Sequence, residues 1–106
     1  MILSNNIFKD IPQYLPEELF ETIAQSENVK IERIVSDGHC SPLNFWYDQD
    51  QNEFVILLQG NAVLEFEDGS KLELNDGDYH LIPAHKKHRV AFTDTSTKTV
   101  WLAVFY

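Results

Sequence analysis

The sequence predicts an all-β domain, a closed antiparallel barrel or sandwich, preceded by a short helical arm. Three observations carry this. Turn signals crowd together at Gly60-Asn61, Asp68-Gly69 and Asp76-Gly77, and each supplies residues that tolerate the positive φ of tight hairpins. The segments around them are short runs rich in β-branched and aromatic residues, as strands are. The apolar period also changes after Asn28, from helical to alternating.

The elements follow in order. Over 5–25 the pattern is helical. Pro16 suits a first helical position, Glu17 and Glu18 complement the positive helix end, and Leu15, Leu19, Phe20 and Ile23 form one apolar stripe. A helix this short is not stable alone, so the stripe is expected to dock on a sheet face. Residues 1–28 are thus the arm and 29–106 the barrel. Strands are predicted at 29–35, 53–58, 62–66, 71–74, 79–82, 88–92 and 97–105. No internal repeat and no low-complexity segment interrupts them.

A chain of 106 residues is one domain, able to bury about two-thirds of its unfolded surface. Seventeen acidic against 8 basic residues give a net charge of −9, which repels phosphate backbones and anionic lipids. Nucleic-acid and membrane binding are not expected. The single cysteine, Cys40, forms no internal disulfide. The first residues lack a basic start followed by a long apolar run, so a cytoplasmic protein is expected. The apolar run at 101–106 is far too short to cross a bilayer. Residues 53–58 and 100–105 are apolar on both strand faces. Such strands need a second cover, from the arm or from a partner subunit, and a two-fold homodimer is the commonest arrangement.

Residues 77–88 read Gly-Asp-Tyr-His-Leu-Ile-Pro-Ala-His-Lys-Lys-His: a turn, a short strand, a proline corner and a histidine opening the next strand. Upstream, Glu53 begins an apolar strand that ends at Gly60. Together these resemble the two motifs of the cupin family, small β-barrels that usually hold a metal ion. The resemblance covers 29–106 and implies a double-stranded β-helix, or jelly roll. Gly77, Pro83 and His88 match the second motif, with His85 where the family has a glycine and Phe92 in place of its terminal asparagine. In the first motif Gly38, Glu53 and Gly60 match, but the His-x-His positions fall on Tyr47 and Gln49, or on Trp46 and Asp48. The segment Phe-Trp-Tyr-Asp-Gln at 45–49 also looks like that of a group of small one-domain bacterial cupins.

The resemblance and strand parity together name a site. Glu53, Val55 and Leu57 share one strand face, and Phe54, Ile56 and Leu58 the other. Glu53 and His88 facing each other across an apolar interior would offer oxygen and nitrogen to a divalent ion such as Zn, Fe, Mn or Ni. Asp48 or Gln49 would add an oxygen. These two neighbours point opposite ways, so one of them is turned out. His39 or His85 would add a second nitrogen. Ligand contacts are expected from Tyr47, Gln49, Arg33, His39 and His85. Each residue also has a plainer reading. Glu53 is a solvated strand start, His88 a hydrogen-bonded histidine at the barrel mouth, His85 and His80 exposed, and Trp46 and Tyr47 core. Arg33 is solvated or, if inward, a buried cation needing an anion. Cys40 beside His39 is weak ground for a nucleophile.

Two function classes remain. One is an enzyme acting on a small polar metabolite, an isomerase, dioxygenase or lyase with a Lewis-acid metal and with Glu53 or His88 as acid or base. The other is a binding or sensory module without turnover. The altered His-x-His favours the second and the retained Glu53 and His88 favour the first.

Overall fold

The structure, a computed structural model describing residues 1–106, contains eight strands. They are β1 (Leu19–Gln25), β2 (Lys30–Ser36), β3 (Glu53–Gln59), β4 (Asn61–Phe66), β5 (Lys71–Asn75), β6 (Tyr79–Ile82), β7 (His88–Thr93) and β8 (Thr99–Phe105). They form two antiparallel sheets, one ordered β1-β2-β8-β3-β6 and the other β5-β4-β7. No helix forms anywhere along the chain, so the expected helical arm is corrected to an extended strap followed by β1. The reason is tertiary. A single short helix is marginal in water, whereas β2 offers an open edge, and β1 pairs along it from Leu19 opposite Val35 to Gln25 opposite Lys30. Phe20, Thr22 and Ile23 are good strand formers, and a register shift between Thr22 and Ala24 absorbs their imperfect alternation.

Strand parity sorts the large sheet. On β3 the residues Glu53, Val55 and Leu57 are buried, while Phe54 and Ile56 between them are only half-buried. The inner residues Val55, Leu57, Ala62, Leu64, Leu74, Ile82 and Trp101 make the core, with Ile34, Leu72 and Val90 packed against it. Burying a leucine this fully contributes about 1.5–3 kcal/mol, so this inter-sheet layer holds the two sheets together.

The strap lies against the outside of β1 and β2. Arg33 is its clamp. The guanidinium is paired with Glu21, and its NH1 group donates to the carbonyl oxygens of Ile7 at 3.1 Å and Lys9 at 2.6 Å. Arg33 is buried, but on the outer side of the sheet, with its charge matched by a carboxylate and backbone dipoles. Leu15 of the strap is buried, and Lys98 Nζ donates to the Gln13 carbonyl at 3.0 Å. No helix is long and apolar enough to cross a membrane.

Candidate functional site

The two sheets splay at one end to leave a cavity of about 70 Å³. Its floor is apolar, made by Val55, Leu64, Ile82, Val90 and Trp101, and its rim carries Phe20, Ile34 and Phe105. The polar lining is Glu18, Tyr47, Gln49, Glu53 and His88.

Glu53 and His88 come from opposite sheets and meet because each opens its strand at the same barrel end. Glu53 begins β3, opposite Ile82 and Phe105. His88 begins β7, opposite Phe66, and on its free side bridges to Tyr47. Tyr47 N donates to the His88 carbonyl at 2.7 Å, and His88 N returns a bond to the Tyr47 carbonyl at 3.2 Å. Segment 41–47 therefore acts as a partial extra strand along β7, and its aromatic ring stacks on the His88 imidazole with centroids 5.6 Å apart.

The imidazole is oriented by its other nitrogen. His88 Nδ1 lies 2.9 Å from the Lys86 carbonyl oxygen. A carbonyl only accepts, so Nδ1 carries a hydrogen and Nε2 is the nitrogen that titrates. Nε2 is 3.5 Å from Glu53 Oε1, a separation at which attraction is mainly Coulombic rather than a well-formed hydrogen bond. Gln49 Nε2 donates to the same carboxylate oxygen at 3.2 Å. Burial opposes charging the ring, but Glu53 and the Lys86 carbonyl outweigh it, and the His88 pKa is raised above its ordinary value. Tyr47 is raised too, by burial and then by the charges of Glu18, Glu53 and Glu32. Glu18 is raised by burial, which the Ser36 hydrogen bond and His39 only partly offset. Ser36 Oγ donates to Glu18 and accepts from Trp101 Nε1 at 3.1 Å.

The sequence-derived candidates separate into three places. Glu53, His88, Tyr47 and Gln49 converge on the cavity. Asp48 does not. It turns outward to His85, whose Nδ1 is 2.9 Å from Asp48 Oδ1, both side chains substantially exposed. Gln49 is the inward member of the pair, as alternation along an extended segment requires. His39 sits on the far side of Glu18, its Nδ1 accepting from Asp37 N at 2.9 Å, in an outer groove with Cys40 and Ser41. Arg33 lines a different groove with Glu21 and Lys9 and is a clamp for the strap rather than a ligand contact. His80 is half-buried against Phe66. Glu18, Phe20 and Trp101 went unnoticed in the sequence as site residues. A period-two reading of 18–23, with Glu18, Phe20 and Thr22 on one side, is the signal that finds the first two.

The donor set does not fit a tightly held metal. No three His, Cys, Asp or Glu side chains gather in one group. The proposed set of Glu53, His88 and Asp48 is broken by the outward turn of Asp48. What remains is one carboxylate, one imidazole and the neutral Gln49 amide, short of the three strong protein ligands of catalytic zinc sites.

The architecture and the site define a class, a small antiparallel barrel with a partly apolar cavity and a carboxylate–imidazole pair at its mouth. The model of the cupin domain matches residues 35–105, and the chain belongs to the cupin family. Among solved structures, a candidate mannose-6-phosphate isomerase from Ralstonia eutropha JMP134 is 42% identical, with 98% of this chain and 97% of that chain covered and a TM-score of 0.93. A cupin superfamily protein from Desulfitobacterium hafniense DCB-2 is 25% identical over 90% of this chain and 82% of that one, with a TM-score of 0.73. An RmlC-like cupin from Methanocaldococcus jannaschii with a double-stranded β-helix fold is 18% identical, covering 91% and 85% with a TM-score of 0.70, and shares the fold. No curated protein matches the chain.

Proposed function

We propose that the barrel binds a small polar metabolite at its mouth and acts on it as an acid–base isomerase, with Glu53 and His88 moving the proton. The observation that carries this is the buried carboxylate–imidazole pair, drawn from opposite sheets and facing a cavity. A carboxylate and an imidazole paired in a cleft are the arrangement proton transfer needs. The isomerase description of the Ralstonia relative agrees with it. Glu53 removes a proton from a carbon beside a carbonyl while protonated His88 gives its Nε2 proton to the carbonyl oxygen. Glu53 then delivers its proton to the former carbonyl carbon, and the hydroxyl on the first carbon gives its proton to His88 as the new carbonyl forms, so the two groups end as they began. Gln49 holds Glu53 in place, and Tyr47 stacks on the ring and limits its rotation. No step calls for a metal.

Proton NMR in deuterium oxide tests this, using a panel of short aldoses, ketoses, hydroxy acids and their amino-substituted counterparts. Deuterium should enter a panel member at carbon, and Glu53→Gln and His88→Ala should each abolish it. Binding without any deuterium entry would replace the enzyme by the non-catalytic binding module.

We also propose that two copies pair through the outer face of the large sheet. Ile31, Val104, Phe54 and Leu81 lie side by side across β2, β8, β3 and β6, and Leu102, Ile56 and Tyr79 form the next row. All are at least partly exposed, and no carboxylate interrupts them. The second row ends at Arg33 and Glu21, which pair with each other, so the apolar part of this face lets two chains of charge −9 meet away from their other acidic groups. Sedimentation at micromolar concentration should give a dimer that Ile56→Lys dissociates, and a monomeric wild type would overturn the proposal.

A further inference from the structure

The lining of the cavity favours one charge class of occupant. Its ionisable groups are Glu18, Tyr47, Glu53 and His88, with no lysine or arginine. With Glu53 ionised, their sum is zero or negative whatever the state of Glu18 and His88. Glu32 adds a further negative charge near Tyr47. The Glu53 side chain is nine-tenths buried. Its Oε1 meets Gln49 and His88, whereas Oε2 has no protein partner.

Aromatic faces complete the picture. Phe20, Tyr47, Trp101 and Phe105 all line the cavity, and an aromatic face attracts a cation held within about 6 Å. Phe105 already does so at the rim, where Lys30 Nζ lies 5.4 Å from its ring centroid. That ammonium is paired with Glu32 at 3.2 Å, and the cavity lining itself offers a phosphate no lysine or arginine. The acidic chain as a whole also enriches cations around it.

Resting on the reading of this cavity as the ligand site, we propose that its occupant is a small organic cation. An ammonium or quaternary ammonium group of a polar metabolite sits between the aromatic faces beside Glu53, leaving the free oxygen of that carboxylate to the C–H bond it deprotonates. Phosphorylated sugars are disfavoured. A cavity of about 70 Å³ takes a headgroup of this size and leaves the rest of the ligand at the rim. The charged group is a handle, held beside the proton-transfer pair without reacting.

Tryptophan fluorescence separates the possibilities. In a Trp46→Phe background, Trp101 is the sole tryptophan, because the chain has two. Tetramethylammonium and ethylammonium chloride should each shift its emission saturably, while sodium chloride at equal ionic strength, mannose and mannose 6-phosphate should not. Glu53→Gln should weaken the ammonium response roughly tenfold, the loss of one charge-assisted contact. Glu18→Gln, which keeps an acceptor for Ser36, should weaken it less, and circular dichroism checks that both variants fold. Saturation by mannose or mannose 6-phosphate, with no response to the ammonium salts, would overturn the cationic class and leave the cavity reading standing. Silence from every probe would overturn both.

Discussion

Gly60 links β3 to β4 at φ +106°, and a Cβ built there would lie 2.5 Å from Thr99 Oγ1, 2.8 Å from Thr99 Cα and 3.0 Å from Thr99 Cβ. Gly69 has a similar φ of +91° but no atom within 4 Å of such a Cβ. Comparing Gly60→Ala with Gly69→Ala therefore isolates the close approach. Both variants carry the cost of placing an L side chain at positive φ, about 1–2 kcal/mol, and both recover similar unfolded-chain entropy. Only Gly60→Ala also presses on the backbone of β8, a strand paired on both sides that cannot step away. Overpacking of this kind costs about 1–3 kcal/mol more. Urea denaturation should separate the two variants by that amount, and thermal melts by about 4–8 °C per kcal/mol. Because β8 carries Trp101 and Phe105, Gly60→Ala should also weaken ligand response at Trp101. Equal destabilisation of the two variants, to within about 0.5 kcal/mol, would refute the steric account of this glycine.

Other outcomes follow from the same structure. Glu18 and His88 both have folded pKa values above their ordinary ones, so each contributes stability present at low pH and lost as pH rises through its raised value. The window opens near 4.5 for Glu18 and near 6.5 for His88. Glu18→Gln should gain on the wild type in urea midpoint as pH climbs from the first window, and a parallel pH profile would contradict this. Arg33→Ala should cost about 2–3 kcal/mol, the scale of a hydrogen bond to a charged group, and should release the strap. Unchanged hydrogen-exchange protection at Phe8 and Lys9 would count against the clamp. Isothermal titration with zinc should give no stoichiometric binding at micromolar metal, and a one-to-one complex lost in His88→Ala would reinstate a metal centre.

Most of the barrel was legible because turn chemistry and alternation are local. Asp68-Gly69 and Asp76-Gly77 bracket β5, and every strand from β2 onward falls within two residues of its predicted bounds. The helix at 5–25 failed because Leu15, Leu19, Phe20 and Ile23 satisfy a helical spacing and most of a strand spacing, and the open edge of β2 decides between them. That misreading also hid Glu18 and Phe20. The sequence leaves open which of Asp48 and Gln49 turns inward, because parity has no origin until the Tyr47–His88 bridge supplies one. Arg33 required an anion, and the Ile7 and Lys9 carbonyls that help to satisfy it come from a strap with no periodicity to announce it.

The cavity is built unevenly. Glu53 and His88 stand on β3 and β7, strands in the interior of the pairing or stitched to the 41–47 segment. Phe20 belongs to β1, and Glu18 immediately precedes that strand; β1 is bonded to β2 alone. Local opening proceeds from the elements with fewest partners, so one wall holds its shape while the other breathes. Amide exchange should be fast along β1 and slow along β3. An entering molecule then meets a fixed reactive side and a yielding selective one, and the looseness of a single edge strand sets the largest guest this barrel admits.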